Sequence, residues 1–233
     1  WPSLVIASGR RSVAPALALR RASGGTCRAV QIQDPTVPAG RFDLVIVPEH
    51  DRLRGPNVIV TRGSLTRVTA TRLASEAARH APRLAGLPRP WTAVLLDGLA
   101  AAVAESGGSL LVTPSRRTPE NLIARLRARL DTLPGEIWDG EGENPYYAYL
   151  GLADGLVVTG DSVNMVCEAG STGRPVHVAL PPGGTAKFAR FHDSLRAAGI
   201  ARPFAGRFES WSYAPLNEAS RAAAEVRLRL GLA

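Results

Sequence analysis

The chain has 233 residues, 45% of them hydrophobic, which is enough for one large globular domain or two modest ones with proper cores. Its formal charge of +8 is carried almost wholly by arginine, Lys187 being the only lysine. No nucleic-acid motif with interleaved aromatics accompanies that charge, so specific nucleic-acid binding is not expected and only weak, salt-sensitive attraction to phosphates or an anionic membrane surface remains. Two cysteines, Cys27 and Cys167, argue against a disulfide framework or a cysteine-based zinc site, and the apolar runs are strand-sized, leaving no membrane-spanning helix and no signal peptide at Trp1. A reducing cytoplasm fits, with peripheral contact at the inner membrane left open.

In chain order, Leu4–Ala7 reads as a strand, Ser8–Ser12 as a loop, Val13–Arg21 as a helix and Cys27–Ile32 as the next strand. Phe42–Val47 and Val58–Thr61 are further apolar strands, and this alternation with helices implies a parallel sheet. A helix over Thr71–Ala81 meets Pro82 and then Gly86-Leu87-Pro88-Arg89-Pro90, where proline and glycine favour a linker. The pattern restarts at Trp91–Leu96 and continues with strands at Leu110–Thr113, Glu136–Trp138, Leu156–Thr159 and Val176–Leu180. Helices are expected near Leu99–Glu105, Pro119–Leu130, Tyr146–Ala153, Val163–Ala169 and Ala186–Ala198. The expected architecture is α/β with two Rossmann-like, doubly wound parallel-sheet domains. Residues 1–88 form the first, residues 89–205 form a nucleotide-binding second, and a C-terminal segment 206–233 with a helix at Ser220–Leu230 rejoins the first.

The run Leu152–Leu180 carries the most chemistry. Leu156-Val157-Val158-Thr159 is a β-branched strand without alternation, as in a parallel sheet covered on both faces. Gly160-Asp161-Ser162 follows, where glycine permits close backbone approach and Asp161 or Ser162 can cap a helix starting near Val163. Such a helix start offers free N–H groups and a partial positive charge to a phosphate. Glu168 stands about a turn and a half into the helix, Gly173 stops it, and Pro175 precedes the next strand.

Strand, Gly/Ser loop, Glu-bearing helix and Gly-Arg-Pro in this order resemble the donor-binding half of GT-B glycosyltransferases. A longer resemblance runs through SGRRS at Ser8–Ser12, VPEHDRLRGPNV at Val47–Val58, TPSRRTPEN at Thr113–Asn121, TGDSVNMVCEA at Thr159–Ala169 and FARFHDSLRAAGIARPF at Phe188–Phe204. By these the chain resembles the bacterial proteins of the mitochondrial-fission (elongated-mitochondria) family, which are similar to GT-B glycosyltransferases and have also carried an epimerase label. The resemblance implies an additional strand–loop–helix ahead of Trp1 that would complete the first sheet, a phosphate-facing glycine loop after Gly98, and a terminal helix crossing back to the first domain.

Two readings stand beside each candidate site. Gly160, Asp161, Ser162, Asn164 and Glu168 would hold a diphosphate and a ribose, or else form an ordinary capped helix with a solvent-facing glutamate. Ser115, Arg116 and Arg117 would grip phosphate bidentately, or Thr118 would cap a helix beside solvated arginines. Gly9 and Arg10 lie in a similar strand-to-helix anion loop, the alternative being a turn capped by Ser12. His50 or Asp51, beside Glu49, would be the general base, with a neighbour fixing the tautomer of the histidine, or the three form a polar turn. Gly183-Gly184-Thr185-Ala186-Lys187 would let Lys187 reach a sugar or phosphate, or is a structural turn. His192, at helical spacing from Phe188 and Leu195, reads as packed or half exposed, His80 and His177 have no ligand-like companions, and no metal motif is present. The reading that follows is a metal-independent nucleotide-sugar enzyme without a cofactor, most plausibly a glycosyltransferase using a UDP-type sugar, with its acceptor in the cleft between halves. The alternatives are a nucleotide-sugar epimerase and a non-catalytic fission or membrane-associated scaffold; oligomeric state is left open.

Overall fold

The computed structural model describes residues 1–95, 108–114, 123–124, 127–128, 133–180, 183 and 185–232. It divides into two compact units, Trp1–Leu65 with Asn217–Ala233, and Thr66–Leu216. The expected helices at Leu99–Glu105 and Pro119–Leu130 lie wholly or mostly outside the described residues.

The first unit holds β1 (Leu4–Ser8), α1 (Val13–Ala22), β2 (Arg28–Ile32), β3 (Leu44–Pro48), β4 (Val58–Thr61) and α6 (Glu218–Leu230), its strands all parallel in the order β1-β2-β3-β4. Strand β3 shows why the apolar run lacks alternation. Val45 and Val47 pack with Val13 and Ala16 of α1, whereas Leu44 and Ile46 pack with Ala222 and Val226 of α6. The terminal helix thus closes the second face of this sheet. Asp43, just before β3, accepts from Arg20 Nε at 2.9 Å, Arg28 at 3.2 Å and the Ala29 N–H at 2.8 Å. Burial alone would raise its pKa, but these donors outweigh it and hold the carboxyl below the usual range.

The second unit contains α2 (Ala70–Leu84), β5 (Trp91–Leu95), β6 (Ser109–Val112), β7 (Gly135–Ile137), α3 (Tyr146–Leu152), β8 (Gly155–Thr159), α4 (Val163–Gly170), β9 (Val176–Ala179), α5 (Ala186–Ala197) and β10 (Ala201–Pro203). Its six strands are parallel in the order β10-β9-β8-β5-β6-β7. Here too neighbouring residues part to opposite faces: Leu156 and Val158 enter one apolar cluster and Val157 the other. No helix among the described residues is long and apolar enough to cross a membrane.

Three expectations need correction. The unit boundary falls after Leu65 rather than near residue 88, because α2 packs along α3 and buries Leu84 in the second core, beside Val68 and Leu73. Likewise residues 206–216 stay with the second unit, where Leu216 joins the same core, and the return to the first unit begins at Asn217. Helix α2 also runs through Pro82 to Leu84; a proline in the last turn leaves little helix beyond it to disrupt. Strand β10 was not anticipated, since a three-residue edge strand containing Arg202 and Pro203 has no apolar periodicity to read.

Close backbone approach between α2 and α3 rests on Gly151, where a Cβ would lie 2.8 Å from the Leu73 carbonyl oxygen. Alanine favours a helix interior over glycine by about 1 kcal/mol, yet overpacking against backbone outweighs this. Gly151→Ala should lower stability by about 1–2 kcal/mol in chemical denaturation. His177 is buried, its Nε2 accepting from the Glu209 N–H at 3.0 Å while Phe204, Phe208 and Trp211 meet its ring edge-on. Desolvation lowers its pKa below the ordinary 6.5. The unfolded chain therefore takes up a proton that the folded state resists, so this contribution is present above pH 6.5 and lost below it. Melting temperature should fall between about pH 7 and about pH 5.5 more steeply in the parent protein than in His177→Gln.

Candidate functional site

In the second unit the chain builds β5, β6 and β7 outward in one direction, then returns to place β8 on the other side of β5 and continues to β9 and β10. Strands β5 and β8 pair directly, Thr92 with Gly155 through Leu95 with Val158. Strand order reverses between them, and a crevice at such a switch point is where doubly wound sheets hold ligands. The loop after β8 is Gly160-Asp161-Ser162.

Gly160 is fixed on three sides. Its N–H donates to the Ala179 carbonyl at 2.8 Å, its carbonyl accepts from His192 Nε2 at 2.8 Å, and a Cβ would stand 2.5 Å from Leu180 Cδ2. A side chain there would press on the end of Leu180, which is exposed. Ser162 is the N-cap of α4, its side chain accepting from the Met165 N–H at 3.5 Å, while Asp161 and Asn164 are exposed and no acid occupies the first turn of α4. An eight-residue helix thus presents its N-terminus at the sheet's carboxyl edge, a geometry that favours an anion.

Glu168 is not the solvent-facing residue of the bland alternative. Tyr146 of α3 donates its hydroxyl to Glu168 Oε2 at 2.5 Å. Burial raises the carboxyl's pKa, opposed by the Tyr146 hydrogen bond and the charge of Arg72, whose guanidinium lies 3.5 Å from the centroid of the Tyr147 ring. The Tyr146 phenol is in turn pushed up by burial and by Glu168. Nothing in the spacing of Arg72, Tyr146 and Glu168 announces this cluster; it is assembled by the packing of α2, α3 and α4.

Beside Gly160 opens a cavity of about 560 Å³, walled by Asp161, Leu180, Phe188, His192 and Pro203 among others. Thr185, which caps α5 through the Phe188 N–H at 3.4 Å, and Ala186 also line it. Lys187 follows them, exposed on the first turn of α5. Thr113 is buried at the end of β6; Ser115, Arg116 and Arg117 beyond it lie outside the described residues. No group of three His, Cys, Asp or Glu side chains suited to a metal ion occurs among the described residues.

The first unit carries the remaining candidates. Gly9 adopts φ +82°, and its carbonyl accepts from Ser12 Oγ at 2.8 Å and Gln31 Nε2 at 3.1 Å. Ser12 therefore closes the loop instead of capping α1, which corrects the turn-and-cap alternative; Arg10 is exposed. His50 is buried, and its loop is pinned by Arg54, which donates to the carbonyls of Glu49 at 2.9 Å and Asp51 at 2.6 Å. Such enclosure places the imidazole inside the first unit rather than on an open polar turn.

A sequence model of the family "Mitochondrial fission ELM1" matches residues 1–100 and 95–230. The chain is 33% identical over 274 residues to mitochondrial fission protein ELM1 of Arabidopsis thaliana, covering 98% of this chain and 64% of that protein, so it spans somewhat under two thirds of this relative's length. Among solved structures it is similar to UDP-GlcNAc 2-epimerase from Neisseria meningitidis bound to UDP-GlcNAc, with a TM-score of 0.59 and 12% identity, covering 97% of this chain and 67% of the other. It is also similar to MurG of Acinetobacter baumannii, with a TM-score of 0.52 and 13% identity, covering 99% and 68%. These likenesses establish the GT-B-like fold expected from the sequence. Matched by the family's model in both halves, and a third identical to its Arabidopsis member, the chain belongs to the mitochondrial fission ELM1 family.

Proposed function

We propose that this chain binds a nucleotide-sugar, of UDP type, at the switch point of its second unit and acts as a metal-independent glycosyltransferase. The observation that carries this reading is the Gly160–Ser162 loop. It lies where strand order reverses, its backbone is held by Ala179 and His192, and it delivers the N-terminus of α4 to the carboxyl edge of the sheet. Backbone N–H groups there would meet the diphosphate, and Glu168, steadied by Tyr146, would accept from ribose hydroxyls. Lys187 supplies a cation after the neighbouring strand.

In transfer, negative charge builds on the departing diphosphate. A helix N-terminus aimed at that position stabilises it without reorganising, which is how fixed dipoles assist a leaving group. The likeness to a UDP-GlcNAc epimerase concerns fold, and the same donor geometry would serve epimerisation, so the product distinguishes the two reactions.

Calorimetry with UDP, GDP, dTDP and their sugars should give a Kd below about 1 mM for a UDP compound, roughly −4 kcal/mol. Glu168→Ala should weaken it about tenfold or more, the loss of one charge-assisted hydrogen bond. Absence of binding by every compound would shift the reading to a non-catalytic scaffold. Turnover of a UDP-sugar should persist in the presence of a chelator. His50→Ala separates the roles of the first-unit loop: reduced turnover at unchanged donor affinity fits a base, whereas parent-like turnover makes His50 a buried structural residue.

A further inference from the structure

At helical spacing from Phe188 and Leu195, His192 reads as a packed or half-exposed histidine, yet its surroundings are specific. Nε2 lies 2.8 Å from the Gly160 carbonyl oxygen, an acceptor only, so Nε2 bears the proton. Nδ1 is buried and has no hydrogen-bond partner among the described residues. Burying an unsatisfied ring nitrogen costs stability, so packing alone is a poor account of a histidine here. The ring also helps to fill the space a Cβ on Gly160 would occupy, its Nε2 being 3.0 Å from that point.

This hydrogen bond has a directional consequence. In a trans peptide the carbonyl of one residue and the N–H of the next point to opposite sides. Anchoring the Gly160 carbonyl on α5 therefore turns the Asp161 N–H away from α5. That N–H has no acceptor among the described residues. The Gly160 N–H belongs to the preceding peptide and is held by Ala179 at 2.8 Å, so the orientation of the Gly160–Asp161 peptide itself rests on the His192 hydrogen bond.

We infer that His192 is a positioning residue, which clamps the Gly160–Asp161 peptide so that the Asp161 N–H is presented, with the start of α4, to the diphosphate of the nucleotide. The inference rests on the nucleotide reading above and adds to it a residue on a different helix from the ligand-contacting loop. It makes a distinction that a structural role does not. A displaced peptide should impair phosphate binding selectively and leave contacts to the nucleoside intact.

The test compares the full chain with His192→Phe, which keeps an aromatic ring but cannot donate, and His192→Gln, which can. UDP and uridine are titrated into each, with melting temperature as the check on folding. His192→Phe should raise the Kd for UDP about tenfold without changing that for uridine, and His192→Gln should recover most of the loss. Equal UDP affinity in His192→Phe and the parent protein, or parallel losses for UDP and uridine, would overturn the clamp. The NMR order parameter of the Asp161 N–H, which belongs to the clamped peptide, provides a ligand-free reading. It should fall in His192→Phe and return toward parent in His192→Gln, and an unchanged value overturns the clamp even if UDP binds nowhere. Failure of the parent protein to bind UDP would instead remove the nucleotide reading, and with it the diphosphate role assigned to His192.

Discussion

The direct pairing of β5 with β8 is the constraint on which the second unit depends. Because Thr92 to Leu95 align with Gly155 to Val158, two chain segments separated by β6, β7 and α3 are placed side by side with their carboxyl ends together. Asp154 secures the entrance to this pairing: its carboxylate accepts from the Trp91 N–H at 2.8 Å, and its own N–H donates to the Trp91 carbonyl at 2.8 Å. Strand order then reverses at a single place, and the loop that follows β8 is delivered there. The candidate site is a property of that reversal more than of any individual side chain.

Both sheets solve the same physical problem. A parallel sheet is stable when both faces are covered, so each unit needs a helix layer on either side. The first unit obtains one of its layers from the far end of the chain, with α6 supplying Ala222 and Val226 against Val30, Ile46 and Ile59. Its polar attachments reinforce the docking: Glu218 accepts from the Arg62 N–H at 2.9 Å, and Arg229 donates to the Pro56 carbonyl at 3.0 Å. In the second unit α2 and α3 pack closely because Gly151 leaves room for the Leu73 backbone. That approach brings Arg72 and Tyr146 to Glu168.

The polar groups follow from how buried apolar surface is arranged around them. Glu168 keeps a raised pKa because the helices around it exclude water, while Tyr146 and Arg72 compensate only in part. Asp43 shows the opposite balance, with Arg20, Arg28 and a backbone N–H enough to overcome its burial. The two carboxylates differ both in burial, which is greater at Glu168, and in the number and charge of nearby donors, which is greater at Asp43.

What the sequence determined by itself was local. Uninterrupted β-branched runs such as Leu156–Thr159 announced strands covered on both faces, Ser162 announced the start of α4, and Gly160 marked close backbone approach, because side-chain shape and capping act within a few residues. The resemblance carried by Thr159–Ala169 and the other motifs pointed to the family before any geometry was available. Tertiary structure decided the rest. It moved α2 into the second unit, enclosed His50, joined Tyr146 to Glu168, made a three-residue edge strand of Ala201–Pro203 and set His192 against Gly160. Each of these depends on contacts between segments distant in sequence, whose strength is set by shared burial and hydrogen-bond geometry, and neither quantity is written in local spacing.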